Sequence, residues 1–156
     1  MTEKTGFKKI YLYAFGLIAV TFCILKLLDW FYWPKATIRI GGRDVAVTVA
    51  STASHWYKGL SGRRSLAENT GMLFKYTRRD YHTMVMRDMR FSLDIVWLDG
   101  DRIVDVAPGL KPENGLSEAE LTRYRPRLPC TTVIELPDGF VTSNAVKIGD
   151  IVSFSD

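Results

Sequence analysis

The chain carries two hydrophobic rhythms. Ile10 to Leu25 is apolar or uncharged for 16 positions, and LLDWFYW carries that character past Lys26 and Asp29 to Trp33. Beyond Pro34 the pattern changes to short stretches in which β-branched and aromatic side chains alternate with polar ones or run together, as strands do. Ala36–Ile40 and Val45–Val49 are predicted as strands joined by a hairpin at Gly41-Gly42. Ser51 or Thr52 can cap a short helix that runs through Lys58 and stops at Gly59. Met72–Tyr76 and Thr83–Met86 read as further strands. Asp94–Leu98 and Arg102–Ala107 flank the turn Asp99-Gly100-Asp101. Pro108–Asn114 reads as loop. Leu116–Leu121 reads as one or two helical turns, with Ser117 as cap and Glu120 three residues on. Thr131–Leu136 is predicted as a strand, Pro137-Asp138-Gly139 as a turn, and Ile151–Phe154 as a last strand after Gly149-Asp150. The pattern has no internal repeat. It predicts a mainly β fold, a compact barrel- or sandwich-like domain with one or two short helices, preceded by a single transmembrane helix.

Ile10–Trp33 comprises 24 residues, roughly 36 Å as a helix, against a hydrocarbon core of about 30 Å. Tyr11 and Tyr13 stand at one end and Trp30, Tyr32 and Trp33 at the other, where amphipathic rings prefer the headgroup level. Lys26 and Asp29, three apart, share a helix face and can pair or snorkel. A cleaved signal peptide needs small residues before the cut, whereas Phe22, Ile24, Leu25 and Leu27 are bulky. Phe22 before Cys23 argues against a lipoprotein signal. A buried core helix would need a polar outer face. Lys4, Lys8 and Lys9 precede the stretch, and Lys35, Arg39 and Arg43 follow it. The basic head followed by an apolar run favours a signal anchor with the N-terminus inside. The expected organisation is a cytoplasmic tail at 1–9, an anchor at 10–33 that binds the lipid bilayer, and an extracytoplasmic domain at 34–156. The address is the cytoplasmic membrane, crossed once.

Composition narrows the classes of function. Of 156 residues, 47% are hydrophobic, which excludes a disordered tail or a fibre. After position 33, 17 Lys and Arg face 15 Asp and Glu. A head that close to neutral has no broad field for a polyanion, so nucleic acid is not an expected partner. The two cysteines cannot frame a disulfide scaffold. No nucleotide-binding loop or nucleophile-elbow motif is present.

Individual residues allow several chemistries. Asp88 and Asp94 are the sharpest pair. In an open cleft, within roughly 10 Å of each other, two carboxylates can hydrolyse a glycosidic bond, or such a pair can bind a cation. Asp94 at a strand start can equally take a nearby backbone N–H, and Asp88 lies in a turn-like segment. His55 and His82 are the only histidines, with no ligand spacing around them, so neither metal nor other cofactor is expected. Cys130 is the only cysteine after the anchor. It can pair with His82 as a nucleophile or serve as a small buried thiol. Arg123, Arg125 and Arg127 share one face if extended, either to grip anionic groups or to protect a sheet edge. Arg63, Arg64, Arg78, Arg79, Arg87 and Arg90 are scattered, and only the fold decides which converge. Met72, Met84, Met86 and Met89, with Phe74 and Phe91, read most simply as core, with a shallow methionine-lined apolar groove as the functional alternative.

Five segments occur in the order seen in one known family. They are Lys58-Gly59-Leu60-Ser61-Gly62-Arg63, Gly71-Met72-Leu73-Phe74, Met86-Arg87-Asp88-Met89-Arg90-Phe91-Ser92-Leu93-Asp94-Ile95-Val96-Trp97-Leu98-Asp99, Val133-Ile134-Glu135-Leu136-Pro137-Asp138-Gly139 and Val146-Lys147-Ile148-Gly149-Asp150. Together they resemble the DUF192 family across nearly all of the chain after the anchor. Val85, Ser92 and Ser61 depart from residues usual in that family. The resemblance implies an envelope-associated or secreted protein and brings no established activity. It also places Asn where Asp88 stands in many relatives. An amide cannot transfer a proton as an acid or base, so positioning is favoured over catalysis there. Three readings follow. The first is a module that binds an envelope ligand, a glycan or a membrane-protein partner, around Arg63, Met86, Arg87, Asp88 and Asp94. The second is a hydrolase of an envelope polysaccharide that uses Asp88 and Asp94 with His82 nearby. The third is a structural subunit of a membrane complex.

Overall fold

The computed structural model describes residues 3–155. Met1, Thr2 and Asp156, with the side chains of residues 3–8, 29 and 30, lie outside that description. The predicted basic tail around Lys4 and Lys8, the Lys26–Asp29 pairing and the interfacial place of Trp30 therefore fall outside the described residues. The chain divides into two units, Met1–Trp33 and Pro34–Asp156.

The first unit is a single helix, α1 (Glu3–Phe31). Lys9–Leu28 within it has a mean hydropathy of 2.1, and none of its side chains is buried. A core helix of a soluble protein hides such a surface. At 1.5 Å per residue its 20 residues extend roughly 30 Å, long enough to cross a bilayer. A membrane anchor or a signal sequence has this form. Lys26, the one cation inside the stretch after Lys9, places its ammonium 5.7 Å from the Phe22 ring centroid.

The second unit is mainly β. Its elements are β1 (Lys35–Ile40), β2 (Arg43–Ala50), α2 (Ala53–Lys58), β3 (Thr70–Asp80), β4 (Leu93–Asp99), β5 (Arg102–Leu110), β6 (Cys130–Pro137), α3 (Phe140–Ser143) and β7 (Ser153–Ser155). One seven-stranded sheet runs in the order β5-β4-β6-β3-β2-β1-β7. β1 and β2 close on Gly41 and Gly42, both at positive φ (56° and 75°), the geometry that two-residue hairpin loops favour. β2 and β3 are parallel, so the chain must cross over between them, and α2 lies on that crossover. Thr52 caps α2 by accepting from His55 N–H, and Gly59 ends it at φ 47°. The sheet curls into a half-barrel. Arg102 of β5 bridges Ile151, just before β7, so the two ends of the strand order meet. Backbone bonds from Ile103 N–H to Asp150 and from Val152 N–H to Asp101 hold that closure at 2.9 Å each.

Both faces of the central strands are covered, which explains the nearly unbroken burial of β4 and β6. Inside the curl, Leu73, Val96, Leu98, Ile134 and Leu136 pack with Ile38, Ile40, Val45 and Val47. The alternate residues, Met72 and Phe74, Ile95 and Trp97, and Val133 and Glu135, face the other way. Buried with them are Leu60, Met84, Met86 and Met89. All four methionines are buried, as the core reading expects, and Met84 and Met89 also line a groove on this face.

Several segments differ from the sequence expectation. The last strand, expected at Ile151–Phe154, is only Ser153–Ser155, and α3 forms where the pattern predicts no helix. β5 continues through Pro108 to Leu110, because it is the last strand of the order and its register against β4 shifts at that point, where a missing N–H costs no ladder bond. Thr83–Met86 is not a strand. Met84 instead makes one isolated bridge with Tyr124. Leu116–Leu121 forms turns only, although Ser117 N–H and Oγ both donate to Glu120 Oε2.

Candidate functional site

Asp94 is fully buried. Its Oδ1 accepts from Gly109 N–H at 2.8 Å and Gly139 N–H at 3.3 Å, and its Oδ2 accepts from Val141 N–H at 2.7 Å. A carboxylate in that setting fastens β5 and the start of α3 to β4. Asp88 is exposed, holds φ at 51° and accepts Gly62 N–H at its carbonyl. It lines a hollow of about 240 Å³ with Arg87 and Glu118, which Asp94 does not reach. The hydrolase reading needs these two carboxylates in one open cleft, and the fold does not provide it. The left-handed backbone at Asp88 is one that Asn and Asp tolerate best among residues with a Cβ.

His82 and Cys130 do not make a nucleophilic pair either. The His82 ring stacks on Tyr76 at 3.6 Å between centroids, and its Nε2 lies 2.9 Å from the Arg78 carbonyl. The Cys130 thiol is buried and donates to the Asp80 carbonyl at 3.5 Å. Burial pushes its pKa up, outweighing the backbone N–H of His82, so the reactive thiolate is suppressed. The three alternating arginines separate. Arg127 donates from Nε and Nη2 to buried Asp105, Arg125 lies over the Tyr81 ring at 4.2 Å, and the charge of Arg123 acts on Glu118. Among the described residues no group of three or more His, Cys, Asp or Glu side chains is placed to hold a metal.

The residues that do converge lie on the outer face of the sheet. α2, the turn after it, β3, β6 and the segment from Thr83 to Met89 enclose a groove of about 330 Å³. Its buried lining is Leu60, Phe74, Met84, Met89 and Glu135. Trp56 and Tyr76 form an aromatic wall with ring centroids 4.9 Å apart. Tyr57, Lys58 and Arg87 line its more exposed part. Arg87 is held firmly: Nε and Nη2 each reach a Glu118 oxygen at 2.6 Å, Nη1 donates to the Tyr57 carbonyl, and the guanidinium lies 4.3 Å from the Tyr57 ring centroid. The short bonds to Glu118 raise the Arg87 pKa.

Glu135 is the unusual member. It stands between Met72 of β3 and Ile95 of β4 and is 5% exposed. Its Oε2 is buried and makes no hydrogen bond among the described residues. Burial raises its pKa from 4.5 to about 8, against the weaker pull of Arg63. The carboxyl is therefore mainly protonated at neutral pH, a state with one O–H donor and remaining acceptor capacity. Tyr76 is also pushed up, by burial first and then by Glu135. A larger hollow, about 520 Å³, opens at one end of the half-barrel near Lys35 and Lys75. None of its lining residues carries a buried side-chain polar atom without a partner, so the smaller groove is the better site.

Of the expected ligand-binding residues, Arg87 lines this groove, Arg63 acts on its buried acid, and Met86 is core nearby in sequence. Asp88 lies outside it and Asp94 faces elsewhere. The pattern reading passed over Glu135, Trp56 and Tyr76 as site residues. The available signal was an acid in the middle of the apolar run Thr132-Val133-Ile134-Glu135-Leu136, placed by period two on the same face as Val133.

Residues 36–154 match the family profile DUF192, described as Uncharacterized ACR. The chain belongs to the DUF192 family. No curated protein matches it. Two solved structures are similar. One is a proposed transcription regulator from Sinorhizobium meliloti 1021, with 27% identity over 78% of this chain and 95% of that one and a TM-score of 0.70. The other is a protein of unknown function from Novosphingobium aromaticivorans DSM 12444, with 25% identity over 78% and 84% and a TM-score of 0.66. The DUF192 segments border the groove: Gly59 and Leu60, Phe74, Arg87 and Met89, and Glu135 all line it. Gly71 in this DUF192 chain has a packing reason. A Cβ there would lie 2.8 Å from the Glu135 carbonyl oxygen, so a side chain would displace the strand that carries the buried acid.

Proposed function

We propose that this DUF192 chain is a membrane-tethered binding module. In this reading α1 stays in the cytoplasmic membrane with its N-terminus inside, and the β domain faces the envelope. The groove over Glu135 takes a ligand carried by the envelope, in the first place a glycan. The observation that carries the reading is that Glu135, whose buried Oε2 has no partner among the described residues, lines an aromatic-walled groove. A buried polar atom without a partner costs about 1–3 kcal/mol, and a ligand that reaches it recovers that cost. The mixed lining of rings, a carboxyl and a guanidinium suits a polar molecule with apolar faces. The regulatory role suggested for the Sinorhizobium protein does not carry over, because the 17 basic and 15 acidic residues after position 33 give no broad field for DNA.

The test is an NMR titration of the full chain in lipid nanodiscs with soluble envelope-glycan fragments. The Trp56 indole N–H, bonded to the Ala50 carbonyl at 3.0 Å, is a resolved reporter beside the groove. Shifts concentrated at Trp56, Tyr76 and Arg87 are expected. Shifts confined to the Lys35–Lys75 hollow, or none with any fragment, would overturn the assignment. Protease added to spheroplasts should remove the β domain, and its protection would reverse the proposed orientation.

A further inference from the structure

Resting on that groove as the ligand site, we infer that Glu135 recognises its ligand as an uncharged hydrogen-bond donor, its O–H donating to a hydroxyl or amide oxygen of a neutral saccharide. The geometry sets the terms. Oε2 is buried and unpartnered, its strand neighbours Met72 and Ile95 are apolar, and Phe74, Met84 and Met89 complete the surroundings. Among the described residues no cation pairs with the carboxyl. Arg63 acts from a distance, and Arg87 is already held by both oxygens of Glu118. A cationic ligand would have to pass Lys58 and Arg87, which line the more exposed part of the groove. An anionic ligand would find Arg87 already held by Glu118 and would carry its charge from the rim into the apolar surroundings of Glu135. A saccharide needs neither charge: its apolar ring faces can rest on Trp56 and Tyr76 while one oxygen meets the acid.

Other groups that titrate or carry charge around Glu135 are identifiable. Tyr57 and Lys58 come from α2, Tyr76 from β3, Arg63 from the turn after α2, and Arg87 from the segment before β4. Cys130 lies on the same strand, and burial pushes its thiol up. His82 stacks on Tyr76 without lining the groove. β4 presents apolar Ile95 beside the acid.

The probe is the neutral trimer of N-acetylglucosamine, measured by calorimetry against the full chain in nanodiscs at pH 7 and pH 9.5. With the Glu135 carboxyl titrating at about 8, binding should be about 30-fold weaker at pH 9.5. Glu135→Gln, which keeps a neutral donor, should bind at both pH values with little difference. Equal wild-type affinities at the two pH values would refute the donor role and leave the groove assignment standing. Affinity that rises with pH would mean that an ionised Glu135 serves the ligand, and would also refute it. No binding at pH 7 would reject the saccharide class, and the fragment titration then decides separately whether the groove binds anything. The wild-type pH pair needs no variant, so a Gln form that fails to fold does not spare the inference.

Discussion

Glu135→Gln should change how the stability of the β domain depends on pH more than any other single substitution. Folding moves this carboxyl from 4.5 to about 8. Between those values the folded protein keeps a proton that the unfolded chain has released, so raising the pH favours unfolding. The contribution is fully present below about 4.5, declines through the window and is gone above about 8. At about 1.4 kcal/mol per pH unit, the decline amounts to roughly 5 kcal/mol. Gln carries no such titration, but its amide brings a buried N–H₂ with a pH-independent cost of about 1–3 kcal/mol. The wild type should therefore be the more stable protein at pH 5 and the less stable at pH 9. Urea unfolding of the full chain in detergent micelles, followed by the near-ultraviolet dichroism of buried Trp97, gives both curves. Parallel curves for the two proteins would show that Glu135 ionises normally and would refute the reasoning.

Asp94→Ala should destabilise the β domain by about 3 kcal/mol, because three backbone N–H groups lose their buried acceptor. A urea-unfolding loss below about 1 kcal/mol would show that this clamp matters little. At Asp88, φ of 51° predicts that Asn is neutral and Val costs about 1–2 kcal/mol, and equal melting temperatures for the two variants would contradict the strain. The Asp105 pKa is lowered: burial acts to raise it, and the hydrogen bonds from Arg127 outweigh that. Its contribution to stability is present above the ordinary carboxylate range and is lost as pH falls through the lowered folded value. Asp105→Asn should therefore flatten the acid side of the stability profile between pH 5 and pH 2, and an unchanged acid slope would rule out this contribution.

Local chemistry made much of the fold legible. Gly41-Gly42 and Gly100 mark hairpins because positive φ is needed there, and Thr52 and Gly59 bound α2 because cap chemistry is local. Apolar and β-branched runs marked β3 and β6 as strands. Features that depend on distant partners were not legible. α3 lacks a side-chain cap of its own and takes one from Asp94, 47 residues before Val141. Ile151 pairs with Arg102 across the closure, so β7 begins only at Ser153. The site was half visible. Arg63 and Arg87 stood out as charges within family segments, whereas the importance of Glu135 depends on what surrounds it once β3, β4 and β6 are side by side.

The central claim, that the groove holds a neutral acid awaiting a ligand, is tested most directly by a carboxyl ¹³C NMR titration of glutamate-labelled protein. The chain has six glutamates. The resonance missing from Glu135→Gln should titrate near pH 8, with its midpoint moving higher when a neutral ligand accepts a hydrogen bond from the protonated acid. A Glu135 resonance that titrates near 4.5, whether or not ligand is present, would contradict the claim.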